Sequence, residues 1–570
     1  METLDWFVIA GYFALIGFIA WWTGRNQKST GDYFLAGRSV GWFAIGASIF
    51  TANIGSEHIV GLAGSGVTKG MAMAHWEMQA WLLTLLAYVF VPFYYKTGIY
   101  TIPEFLERRF GAKTRWMLSV VSLVAYVFTK VSVTVYAGAI VFQALLPDVF
   151  GSPENAFWVG AFGTVIITGI YTVFGGMRAI LYTAAPQAVL LIMGSGIITF
   201  AGLSALAGDG GSIFQGWNNL VDLASTNADA FALWKPISDP DLPWPAVMIA
   251  SVIIGVWYWC TDQYIVQRTL SAENLEVARK GALFGGLLKL TPVFIFLIPG
   301  IIGWALFKQF PTKYPLEMLP DGSINGDMVF PMLVKTLLPV GIRGLIVACL
   351  LAALMSSLAS LFNSSASLFT VDIYEKLVPN KSEKHLLLVG RIATTVVVVA
   401  GIIWIPVMKA ISSGGLYQYL QSVQGYLAPP ITAIFVFGIF WKRMNEKGAI
   451  WSLLTGFALG MTKLAIQSFF GKGEGKISSC EFLAYVGDFN AYYAAGILFI
   501  ISIVVLVVVS LMTEKPKADK LEGLTYAWLN SDESARAEIA KSWSLSNKLF
   551  ALAILLGVVA CYVYFSFWLG

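Results

Sequence analysis

A lysine in the middle of an apolar run is the first place to look for chemistry in this chain. Lys289 stands in the run Gly285 to Pro292, Gly-Gly-Leu-Leu-Lys-Leu-Thr-Pro. An ammonium there is costly in lipid unless it lines a protein interior or a water-filled cavity. Asn53, Glu57, His58, Glu77, Gln263, Gln421 and the pair Ser356-Ser357 fall in other apolar runs. Their types differ in use. A polyol needs convergent donors and acceptors, which Asn53, His58, Glu77, Lys289 and Gln421 can supply. It also needs a flat apolar face, which Tyr258 and Trp259 can offer, or use as a gate. Two adjacent hydroxyls, Ser356 and Ser357, suit a dehydrated monovalent cation if nearby backbone carbonyls are also freed. Each feature has a plainer reading. A serine pair in a small-residue helix is packing glue, a Glu77–Lys289 pair can simply join helices, and His58 can be a structural hydrogen-bonding residue.

These residues need helices to place them, and the composition says where those helices lie. The chain has 570 residues, 57% apolar and only 12% charged. A soluble chain of this length carries far more charge. The formal charge of +4 points to no polyanionic partner, and no nucleic-acid module is visible. Cys260, Cys349, Cys480 and Cys561 are too scattered for a disulfide framework. No hydrolase elbow, phosphate loop or redox motif stands out, which argues against an enzyme.

Apolar runs recur almost from end to end and predict about fourteen membrane helices. One is expected over 41–66, two over 156–172 and 178–205, and one over 329–370. Basic residues such as Arg25, Arg108, Arg109, Arg279, Lys280, Lys442 and Arg443 concentrate in the odd-numbered connections. The positive-inside rule places those in the cytoplasm and, for an even count, both termini outside. The predicted outer connections carry no N-glycosylation sequon, which favours a bacterial inner membrane. A polar segment, 513–546, lies on the cytoplasmic side, with a surface helix expected over 527–544.

Two segments read as interrupted helices. One carries Asn53-Ile54-Gly55, the other Gly255 followed by Trp257-Tyr258-Trp259-Cys260-Thr261-Asp262-Gln263. Breaks at mid-membrane depth free backbone groups for an ion or solute, although a membrane glycine also serves close helix packing. The two segments head blocks 41–206 and 243–440, joined by an outer connection, 207–242. Residues 1–40 precede them and 441–570 follow. Each block has room for five helices. Five is odd, so the second block is inverted relative to the first, as in many secondary transporters.

At these residues the chain resembles the sodium/solute symporter family, most closely its sodium/glucose cotransporter branch. The resemblance covers about 30–512. It rests on Asp32-Tyr-Phe-Leu-Ala-Gly-Arg38, on Ala52 to His58, on Trp257 to Gln263 followed by Val266-Gln-Arg268, and on Ser356 to Tyr374. It implies an all-α membrane protein of about fourteen helices, with the 5+5 inverted-repeat core of the amino-acid/sodium symporter fold. It implies sodium-driven uptake of a monosaccharide, glucose or galactose, by alternating access; the rival is another small polar solute such as an inositol or an organic acid. By the same resemblance, sodium is held by the carbonyls of Thr51, Ile54 and Ala353 and the hydroxyls of Ser356 and Ser357. The sugar maps to Asn53, His58, Glu77, Tyr258, Trp259, Lys289 and Gln421, with Tyr258 as the inner gate. One departure matters. Ala184, in Leu181-Tyr-Thr-Ala-Ala-Pro-Gln187, stands where family members often carry an acid, which implies one sodium per sugar. Gln418 and Gln424 flank the sugar-site glutamine and could alter substrate choice.

Overall fold

The computed structural model describes residues 2–25, 27–227, 230–319, 322–411, 416–472 and 476–568, without the side chains of 56–57, 128, 148, 407–411, 416–419 and 567–568. The side chains of Glu57 and Gln418 therefore lie outside the described residues. Where described, the chain is built of helices joined by turns, with no named strand. That follows from the apolar sequence, because a segment in lipid must satisfy its own backbone polar groups.

Among the described residues, twelve helices are long and apolar enough to cross a membrane. They differ in how much of their apolar window is covered. Ile342–Leu377 is 94% buried, whereas Thr3–Thr23 is 28% and Ala491–Met512 is 33% buried. The first therefore runs through the middle and the other two lie at the periphery. Phe7, Phe174, Ile403 and Met512 project outward, as a lipid-facing surface requires.

The expected fourteen spans differ from these twelve in two places. The segment 41–66 is not one continuous helix but Trp42–Asn53 followed by Ser56–Thr68. The spans 156–172 and 178–205 form one helical stretch, Pro153–Ala207, divided at Gly176 with φ 55° and ψ −159°. Only glycine adopts that conformation readily, and a Cβ there would sit 2.7 Å from the Tyr33 carbonyl oxygen.

Three local expectations need correction. The span drawn over 329–370 begins at Ile342. Residues Val329–Leu337 form a separate short helix, and the chain turns between them at Gly341, with φ 86°. Pro339 lacks the N–H that a continuing helix needs. At the start of the long helix, Asp5 accepts the backbone N–H groups of Gly341 and Gly344 at 2.7 and 2.9 Å, complementing its positive end. The surface helix expected over 527–544 is two helices, Tyr526–Ser531 and Glu533–Lys541. Asp532 between them caps the second by accepting from the Ala535 N–H. Gly255 is helical, with φ −67° and ψ −39°, so the second interruption is not there. Its small size lets Leu82 and Gln79 approach, which is close packing.

Small residues also set the distance between the helices that carry polar groups. Gly281 and Gly285 pack against Ile45 and Ile49, and Gly46 packs against Phe284. The helix leading to Lys289 thereby lies along Trp42–Asn53. On one flank, Gly326 touches Gly64 backbone to backbone, and the half-buried Asp327 follows it in a short turn.

Candidate functional site

The first interruption is built from Ile54, with φ −89° and ψ 87°, and Gly55. Gly55 N–H donates to the Asn53 carbonyl at 3.2 Å, and His58 N–H donates to Gly55 at 3.1 Å. The carbonyls of Thr51 and Ile54 thus lose the donors a continuous helix would give them. The serine pair faces this break from Ile342–Leu377. Ser356 Oγ donates to Thr51 Oγ1 at 3.0 Å, and Ser357 Oγ donates to the Ala52 carbonyl at 3.1 Å. Of the residues expected to hold sodium, Ser356 and Ser357 therefore meet Thr51 and its neighbour Ala52 beside the break that Ile54 forms. Ala353 lies one turn earlier on the same helix and within unbroken helical backbone, so its carbonyl has only its second lone pair to offer.

The second interruption falls at Asp262, with φ −83° and ψ 126°, after a widened turn over Val256–Thr261. Tyr258 and Trp259 emerge from that turn. They line one cavity together with Asn53, His58, Lys289, Gln421 and Gln424. Asn53 Nδ2 donates to Tyr258 Oη at 3.3 Å, while Asn53 Oδ1 is buried without a partner among the described residues. Trp259 Nε1 donates to Gln79 Oε1 at 3.2 Å, and Gln79 in turn donates to the Ser251 carbonyl at 3.0 Å. That relay fixes the indole face toward Lys289, whose Nζ stands 5.6 Å from its ring centroid.

Glu77 is placed differently from the other expected solute residues. It is fully buried and stands behind the cavity wall, where it accepts a hydrogen bond from Lys289 Nζ. His58 Nε2 is 4.0 Å from its other oxygen. A carboxylate so held orients the ammonium toward the cavity and compensates its charge. Ala184 is buried in Pro153–Ala207 and brings no carboxylate.

Sequence reading missed Trp76, Gln79, Lys130, Thr134 and Tyr264, which also line the cavity. Lys130 carried a signal, being a cation within an apolar run. Its partner, Asp262, is 132 residues away at 2.5 Å, and no spacing rule connects them.

Such a site can hold a cation at a helix break and a hydroxyl-rich solute between polar groups and aromatic faces. The sodium:solute symporter family model matches residues 33–456. The sodium/glucose cotransporter 1 of sheep (Ovis aries) is 39% identical over 548 residues, covering 92% of this chain and 81% of that one. The sodium/myo-inositol cotransporter of mouse (Mus musculus) is 38% identical over 558 residues, covering 92% and 76%. The solved structure of a substrate-bound, outward-open Na+-coupled sialic acid symporter aligns with a TM-score of 0.74 at 23% identity, over 90% of this chain and 99% of that one. That likeness shows the fold, which is the amino-acid/sodium symporter fold with its inverted-repeat core. The chain belongs to the sodium:solute symporter family and is a multi-pass membrane protein that couples solute transport to Na+.

Proposed function

We propose that this symporter takes up a monosaccharide, glucose or galactose, with one sodium ion per sugar. The observation that carries the reading is the joining of two features at one helix break. The serine pair meets the Thr51 hydroxyl and the Ala52 carbonyl, and Asn53, one residue on, opens into a cavity walled by His58, Trp259, Lys289 and Gln421. Sodium takes the lone pairs of Ser356 and Ser357 and the carbonyls of Thr51, Ile54 and Ala353. It thereby ties Ile342–Leu377 to the break and orders Asn53 for the sugar. Asn53 Oδ1 accepts a sugar hydroxyl, Lys289 donates to another, and Gln421 does either. Trp259 supplies the apolar face, and Tyr258 closes the inner side. Ala184 supports a single sodium.

In this reading the inverted repeats span 41–206 and 243–440, both termini face outward, and the membrane is a bacterial inner membrane. A tenfold sodium gradient contributes about 1.4 kcal/mol, and one charge crossing 100 mV adds about 2.3 kcal/mol. Together, about 3.7 kcal/mol supports several-hundredfold accumulation when coupling is tight.

A second reading keeps the mechanism and changes the cargo to a cyclic polyol. It is favoured by the similarity to sodium/myo-inositol cotransporters. An organic acid fits less well, because Glu77 already compensates Lys289. Competition separates the cases. Unlabelled galactose, mannose, inositol and a sialic acid are added to sodium-driven uptake of labelled glucose. Strong competition by galactose alone supports the monosaccharide. Tighter competition by inositol transfers the assignment to the polyol.

A further inference from the structure

Lys130 is a buried cation inside the membrane-spanning stretch Ala112–Leu145, and the sodium and sugar contacts above leave it unused. Its helix widens locally over Tyr126–Val131, a departure that clusters at functional sites. The widening carries Lys130 Nζ to 2.5 Å from Asp262 Oδ2. The ammonium also stands 4.9 Å from the ring centroids of Trp257, Tyr258 and Tyr264, and 5.0 Å from that of Tyr126. A cation among aromatic faces and beside a carboxylate is held from every side.

Asp262 is equally committed. It sits at the second interruption and caps the helix Gln263–Leu270 by accepting from the Tyr264 N–H at 3.2 Å. Tyr126 O–H donates to the same carboxylate, and Tyr126 Oη accepts from the Tyr264 N–H at 3.2 Å. Two helices remote in sequence are therefore joined at the point where one of them is broken. Tyr258 is on that broken helix, four residues before Asp262, and its ring is among those the ammonium touches.

We propose that the Lys130–Asp262 pair is a latch on the solute's way out. Closed, it holds Tyr258 across the cavity and fixes the break in Trp244–Leu270 to Ala112–Leu145. Parted, it frees Tyr258 and lets the solute pass. Lys130 is thus a positioning residue, acting through Tyr258. The proposal rests on the cavity being the solute site.

The test compares Lys130→Met, Lys130→Arg and the double variant Lys130→Met/Asp262→Asn in proteoliposomes. Labelled glucose flux is measured with and without a sodium gradient. The latch requires Lys130→Met to lose its sodium dependence, with equal flux in both conditions, and Lys130→Arg to behave as wild type. It also requires the double variant to remain leaky, because neutral partners do not restore the ionic tie or the cation between the rings. Restored sodium-dependent uptake in the double variant overturns the latch, since an unpaired buried charge was then the only fault.

A second readout does not depend on the solute. Hydrogen exchange over 256–266, followed by mass spectrometry, accelerates in both neutral variants if the latch holds the break, while Ile342–Leu377 stays protected and shows the protein folded. Unchanged exchange over 256–266 overturns the proposal. Absence of glucose flux in the wild type sinks the sugar reading, and the exchange experiment still judges the latch.

Discussion

The Glu77–Lys289 pair allows a solute contact to be told apart from structural glue. Lys289 is 2% exposed and Glu77 0%, and the ammonium donates directly to the carboxylate. Lys289→Met keeps the bulk of the stem and removes the charge. Glu77 then remains buried without the ammonium that donates to it, and His58 at 4.0 Å is too far to take that hydrogen bond over. Breaking a buried pair in this way costs about 3–5 kcal/mol. The apparent melting temperature of the purified protein should fall clearly. Glu77→Gln/Lys289→Met removes both charges and should recover most of that loss. Transport should not recover. A charged hydrogen bond is worth about 1.5–3 kcal/mol, so losing the one from Lys289 to the sugar raises KM by about 10- to 100-fold. The assay is glucose uptake at saturating sodium, with melting measured on the same preparation. A double variant of wild-type stability and wild-type KM would refute the reasoning and leave the pair as a tie between helices.

Three further outcomes follow from the same geometry. Ser357→Ala removes one hydroxyl from the break, so the sodium concentration for half-maximal uptake should rise about tenfold or more; an unchanged sodium curve argues that the cation binds elsewhere. Gly176→Ala forces a side chain into a glycine conformation costing about 1–3 kcal/mol and toward the Tyr33 carbonyl, and should lower the melting temperature; a wild-type value would contradict the sharp division of Pro153–Ala207. Burial pushes the Asp327 carboxyl up to about 6. An unfolded aspartate titrates near about 3.9, so the folded state binds the proton more tightly and loses stability as pH rises between about 4 and 6. Asp327→Asn should therefore gain on wild type in melting temperature across that window and level off above it. A gap that does not change with pH would show that Asp327 is not strained by burial.

Much of this architecture could be read from the sequence because lipid restricts the choices. Asn53-Ile54-Gly55 announced the first break, since polar residues beside a glycine have few other reasons to lie in an apolar run. The separation of 172 from 178 anticipated the division at Gly176. Reading failed where an apolar run hid a turn. Residues 329–337 continue the hydropathy of Ile342–Leu377, and only Pro339 and Gly341 betray the gap. It failed again at Gly255, where small size serves the contact with Leu82 rather than a break. The true second break is marked by Asp262, whose side chain caps the next helix. The site was legible as a set of types but not as an arrangement. That Glu77 stands behind Lys289, and that Lys130 meets Asp262, depends on how helices far apart in sequence pack.

The most direct test is uptake of labelled glucose into proteoliposomes carrying an inward sodium gradient, compared with vesicles at equal sodium on both sides. Sodium-driven accumulation above the outside concentration, abolished by Gln421→Ala and weakened by Ser357→Ala, is the expected result. Folded protein that shows no sodium-driven glucose accumulation, or one that both variants leave untouched, would contradict the sugar and sodium sites drawn here.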